Sequence, residues 1–183
     1  MAITPAVVYK PVMDSVRFFR SALAVAIASA VAIHPPVATA SARCLTPPEK
    51  TAFEVRLLQT EMMVATLTCR GVGNRDFSAQ YGHFVEANRD ALKTHAGVFR
   101  EHFKRSFGGA AETQLDRYVT SLANDLSRAS MMGTGTFCPQ QDALFERAAR
   151  VGPKELAGFA AERAAGHALG VAPCAAQGPQ RTR

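Results

Sequence analysis

Tryptophan is absent from this chain, and valine and isoleucine are scarce after residue 40. Sandwiches and barrels need β-branched and aromatic residues alternating with polar ones. No stretch sustains that period-two alternation and no internal repeat occurs, so sheet and solenoid architectures are set aside. The motifs Cys-x-x-Cys, Cys-x-x-Cys-His and His-Glu-x-x-His are also missing, which removes the usual redox, haem and zinc signatures. No serine stands in a Gly-x-Ser-x-Gly elbow. Gly71-Val72-Gly73 lacks the third glycine of a dinucleotide-binding turn and has no βαβ unit around it. Long blocks of like charge are lacking too, and the net charge of +6 forms no basic stripe of the kind nucleic acid requires.

What is present begins with an export signal. Arg17 and Arg20 precede an uncharged apolar run at residues 22–33. That run is too short to cross about 30 Å of hydrocarbon as a helix, so a signal peptide is preferred to a membrane anchor. His34, Pro35 and Pro36 break it, and Ala38-Thr39-Ala40 supplies the small residues read by a signal peptidase. Ala40-Ser41-Ala42 is a second cleavage site, and Met13 is an alternative start. Removal of residues 1–40 leaves 143 residues with 18 Lys+Arg against 14 Asp+Glu. That length makes one ordinary domain. The expectation is a periplasmic or secreted protein, with a helical domain over residues 41–172, a flexible tail at 173–183 and no transmembrane segment after cleavage. Export makes nucleic acid an unexpected partner.

The mature part reads as helices. Thr46-Pro47-Pro48-Glu49 combines a capping threonine, a proline for the first turn and a glutamate able to reach back to the cap amide. Phe53, Leu57, Leu58, Met62, Ala65 and Cys69 follow at helical spacing, until Gly71 and Gly73 end the run. A second, longer helix carries Phe77, Tyr81, Phe84, Leu92, Phe99, Phe103 and Phe107 on one face. Gly82 and Gly97 lie inside it, each a place for a kink or a close helix contact. A third helix carries Leu115, Tyr118, Val119, Leu122 and Leu126 and ends at Met132-Gly133-Thr134-Gly135. A shorter fourth opens at Cys138-Pro139, and an alanine-rich fifth runs over residues 153–169. The fold class expected is all-α: three main antiparallel helices with two shorter ones packed on them.

All four cysteines follow the signal, and an even number in an oxidising compartment argues for two disulfides. Cys44 and Cys69 bracket the first helix and are about 35 Å apart at 1.5 Å per residue. Bridged Cα atoms lie within about 7 Å, so these two cannot pair. An up-down-up path returns the chain to the end where Cys69 lies. The favoured pairing is therefore Cys69–Cys138 with Cys44–Cys174, which makes the cysteines staples rather than chemistry.

Candidate functional residues gather on the second helix. Tyr81, Asn88, His95 and His102 recur every seven residues and form a file along the edge of the apolar face. A boundary row of half-packed polar residues explains such a file. A polar seam lining a groove, able to bind a ligand or respond to pH near 6, is the sharper reading. Arg100, Lys104 and Arg105 add a short basic cluster that suits an anionic lipid or a protein partner. Asn88, His95, His102, Arg100 and Lys104 are thus the expected ligand or partner surface. His83 and Glu86 reverse the Glu-x-x-His order of di-iron bundles and occur once. No cofactor, metal ligand set or catalytic residue is assigned.

Cys44, the run LLQTEMMVATLTCR, then FVEANRDALKTH and FCPQQDALF resemble a family of short, exported, uncharacterised alphaproteobacterial proteins. The resemblance covers residues 44–149 and is densest at 57–70 and 84–92. It implies export and an all-helical domain. Some of those relatives carry an S-adenosylhomocysteine hydrolase label. That activity needs a Rossmann domain, for which this chain has neither strands nor the glycine turn. The reading is an exported helical binding or scaffolding protein. The alternative is a histidine-based metal or small-ligand carrier, or an envelope enzyme.

Overall fold

A computed structural model describes residues 43–175. The expected signal at residues 1–40 and the last eight residues of the chain lie outside the described residues. Six α-helices follow in order: α1 Pro47–Thr68, α2 Ser78–Ala87, α3 Arg89–Phe107, α4 Ala111–Met132, α5 Thr134–Ala148 and α6 Leu156–Ala164. Short 3-10 turns stand at Val72–Asn74 and Gly108–Ala110. Among the described residues the only extended pairing is one parallel bridge, Leu45 to Pro173. The fold is all-α, as expected, and no described helix is long and apolar enough to cross a membrane.

The first helix is the axis of the molecule. It buries Phe53, Leu57, Leu58, Met62 and Val64, but also Glu49, Glu54, Thr60 and Glu61. Burial on nearly every side follows from its neighbours, because α3, α4 and α6 all pack on it. A helix enclosed this way has no single apolar stripe. Its polar side chains need partners instead. Thr60 donates to the Arg56 carbonyl at 2.7 Å, Glu54 pairs with Lys50, and Glu61 accepts from Arg163 Nε at 2.8 Å.

Contacts along α1 give the path of the chain. Glu49 meets Arg105, and Phe53 meets Phe99 and Phe103 at ring distances of 4.7 and 6.0 Å. The start of α1 therefore lies beside the end of α3, so the two run antiparallel. Tyr118 meets Phe53 at 5.1 Å, and Ser130 meets Thr68 at 3.3 Å. Helix α4 thus runs with α1, completing the up-down-up order. Two larger core clusters result. One surrounds Met62, Phe84, Phe145 and Phe159 at the Cys69–Cys138 bridge. The other holds Leu45, Phe53, Phe99 and Phe103 at the opposite end.

Three local expectations need correction. The long second helix is two helices, and neither Gly82 nor Gly97 divides it. The break falls at Asn88, whose backbone leaves the helical region at φ −111°, ψ 14°. Its fully buried side chain donates from Nδ2 to the Phe84 and Val151 carbonyls, each at 3.0 Å. A side-chain amide that competes for main-chain carbonyls bends a helix. Helix α5 begins at Thr134, not Cys138, and carries Pro139 within it. The last helix is shorter than the alanine-rich run and stops at Ala164.

The cysteines pair as expected, Cys69 with Cys138 and Cys44 with Cys174, at Cα separations of 5.5 and 4.7 Å. Part of the expected tail is consequently tied down. Leu45 N–H donates to the Ala172 carbonyl at 2.9 Å, and Cys174 N–H donates to the Leu45 carbonyl at 2.8 Å.

Candidate functional site

The seven-residue file does not converge on one place. Asn88 and His102 are buried, Tyr81 and His95 are half-buried, and Arg100 and Lys104 are exposed. Fourteen residues of helix separate Asn88 from His102, about 21 Å of rise. Asn88 belongs to the kink. His95 borders a crevice of about 10 Å³ beside Arg56 and Gln59, room for one water at most. Burial pushes its imidazole pKa down. Lys104 pairs with Glu101 at 2.7 Å on the outer face of α3.

His102 has different company. Helical spacing puts Arg105 and Ser106 three and four residues on, over the same face. Packing of α3 against α1 then brings in Glu49 from the first turn of α1. The Glu49 carboxylate accepts from the Thr46 N–H and hydroxyl, both at 2.8 Å. It also accepts from Arg105 Nη2 at 2.8 Å and Nε at 3.1 Å. Burial pushes the Glu49 carboxyl up, but the Thr46 and Arg105 donors outweigh it and hold the pKa below the usual glutamate value. The capping glutamate read from the sequence is therefore also the anchor of an ion pair between two helices.

The His102 ring stands edge-on to Phe53 and Phe103, at 5.1 and 5.5 Å. Its Nδ1 lies 3.2 Å from Arg105 Nη2 and 3.4 Å from Glu49 Oε1. A guanidinium can only donate, so the Arg105 contact needs a bare Nδ1, whereas the Glu49 contact needs Nδ1–H. Nε2 faces Ser106 Oγ at 3.5 Å. Burial pushes the imidazole pKa down, Glu49 opposes that and Arg105 adds to it. The ring is neutral at pH 7.

Serine, imidazole and carboxylate stand here in the order of a nucleophilic relay. A relay needs Nδ1–H toward the carboxylate and a bare Nε2 toward the hydroxyl. The Arg105 contact favours the opposite tautomer, Ser106 Oγ at 3.5 Å is at the limit of hydrogen-bond reach, and Ser106 does not border the adjoining cleft. The arrangement suits a rigid, neutral surface better than proton abstraction.

That surface floors a cleft of about 380 Å³, bordered by Arg43, Cys44, His102, Phe107, Val171 and Ala172. The outer wall is the chain returning after α6. It is fixed by Tyr118 Oη donating to the Leu169 carbonyl at 3.0 Å, by the Leu45–Ala172 hydrogen bond and by the Cys44–Cys174 bridge. Arg43 at the mouth lies 5.4 Å from the centre of the Phe107 ring.

Two other hollows differ in character. One of about 360 Å³ borders the stacked Phe77 and Phe145. The other, about 250 Å³ between α5 and α6, holds Arg147, Arg163 and an exposed His167. Both of its arginines are neutralised, Arg147 by Glu162 at 2.7 Å and Arg163 by Glu61 at 2.8 Å. Among the described residues no three His, Cys, Asp or Glu side chains are grouped to hold a metal ion.

Of the residues expected at a site, only His102 borders this cleft. Glu49, Arg43, Phe107 and Val171 carried no functional signal in the sequence, because three separate segments supply them. Compared with protein families, curated proteins and solved structures, the chain matches none.

Proposed function

We propose that this chain is an exported helical binding protein, of the periplasm or the medium outside the cell, which takes a small ligand in the cleft at His102. The observation that carries this reading is the cleft itself. It is about 380 Å³, largely apolar, with a neutral buried imidazole at its floor and a cation at its mouth. Ligand sites are concave and mostly apolar, with a few placed polar groups. Export rests on the n-region, the short apolar run and the Ala-x-Ala sites, and two disulfides suit an oxidising compartment. Arg100 and Lys104 extend the reading outward along α3 as a surface for a protein or lipid partner, while Asn88 sets the kink at the start of that helix.

The test follows amide resonances of the oxidised, signal-free protein as a small-molecule extract of the cell envelope is added. Shifts clustered on Arg43, Phe107 and Val171 are expected. Shifts confined to the α5–α6 hollow, or none at all, would contradict the proposal.

A further inference from the structure

Of the arginines lining the three larger hollows described above, Arg43 alone has no carboxylate partner among the described residues. Arg147 and Arg163 beside the α5–α6 hollow are paired, as is Arg150 beside the Phe77 hollow. Arg43 meets instead the face of Phe107. No acidic side chain borders the cleft, and Glu49, which faces His102 behind it, is already matched by Arg105. A guanidinium resting on an aromatic ring has surrendered part of its side-chain freedom. It therefore loses less entropy when an anion arrives.

The remaining lining sets the rest of the guest. Phe107, Val171, Ala172 and Cys44 offer hydrocarbon and sulfur, and His102 offers a neutral ring edge. A small hydrated anion would give up water there for one charge contact and no apolar contact, a poor exchange. A purely apolar guest would gain burial but make no use of the cation. A guest with an acidic head and a hydrocarbon body uses both, and a charged hydrogen bond to arginine is about twice as strong as a neutral one. The volume, about 380 Å³, is near the lower end of ligand pockets and suits one chain rather than two.

We infer that the cleft binds a single-chain amphiphile with a carboxylate head, the head on Arg43 and the hydrocarbon along Phe107 and Val171. This rests on the binding-protein reading and names its ligand class. The experiment titrates the full oxidised protein with dodecanoate, dodecanol and a short-chain diacyl phosphatidylglycerol, dodecanol below its solubility limit and the other two below their micelle concentrations. Saturable binding of dodecanoate is expected, about tenfold tighter than dodecanol, or about 1.4 kcal/mol. Arg43→Gln, at an exposed position, should bring dodecanoate to the affinity of dodecanol and leave dodecanol unchanged. Val171→Glu should abolish both.

Equal affinity for acid and alcohol in the unmodified protein, or an acid preference that survives Arg43→Gln, overturns the carboxylate assignment. If dodecanol still binds and Val171→Glu removes it, the cleft stands as a binding site and only the ligand class falls. Tighter binding of the diacyl lipid overturns the single-chain assignment. No binding of any of the three removes both this inference and the cleft as the site of function.

Discussion

Asn88 and Gln141 each bury a carboxamide completely, with different results. Asn88 Nδ2 finds two carbonyls although its Oδ1 has no hydrogen-bond partner, whereas Gln141 lacks a partner at both Nε2 and Oε1. Unpaired buried polar atoms cost about 1–3 kcal/mol. Gln141→Met should therefore raise the urea midpoint, by about 1 kcal/mol of stability, and Asn88→Ala should lower it by about 2 kcal/mol. A fall in stability for Gln141→Met would mean that its amide has a role the core needs. Histidine gives a second prediction. Burial holds the pKa of His95 and of His102 below the ordinary value of 6.5. The unfolded chain then binds protons first, so this stability is whole above pH 6.5 and drains away as pH falls through the folded-state values. Glu49, held below 4.5, acts in the next window down, its contribution present above that pH and lost beneath it. Urea midpoints measured from pH 8 to pH 3 should decline below pH 6.5, with a further decline below pH 4.5. His102→Gln should shrink the upper one, and Glu49→Gln should remove part of the lower one.

Helices were readable where their signals are local. The start of α1 is the clearest case, since Thr46, Pro47 and Glu49 act within one turn. The division between α2 and α3 was not readable, because the second acceptor that holds Asn88 is Val151, distant in sequence. Glycine content pointed to the wrong positions. A Cβ added at Gly82 or Gly97 meets nothing within 4 Å. Gly82→Ala and Gly97→Ala should each stabilise the protein by about 1 kcal/mol, read from thermal unfolding. A loss at either would reveal a close approach that the packing does not show. Helix α1 hid its central place for a related reason. Glu54 and Glu61 look like solvent residues in a pattern, and only the arrival of Lys50 and Arg163 makes their burial possible. His102 was legible as a candidate, whereas the cleft around it depends on a returning segment more than sixty residues on.

The two bridges differ in reach and in access. Cys69–Cys138 closes a loop of 69 residues and Cys44–Cys174 one of 130. The chain-entropy model assigns them about 4 and about 5 kcal/mol. Cys69 and Cys138 are fully buried, while Cys44 and Cys174 are half-exposed. Mild reductant should therefore free Cys44 and Cys174 first, as seen by thiol alkylation and intact mass, and dodecanoate affinity should fall at that step because the cleft loses its outer wall. Simultaneous opening of both bridges would contradict this order. The outer bridge also decides how the molecule bears load. With Cα atoms 4.7 Å apart, it joins the point where the chain enters the domain to the point where it leaves. Tension applied between residues 43 and 175 crosses one covalent bond and bypasses every helix. Pulled from its ends, the oxidised protein adds almost no length, and the 130-residue span pays out only once that bond is reduced.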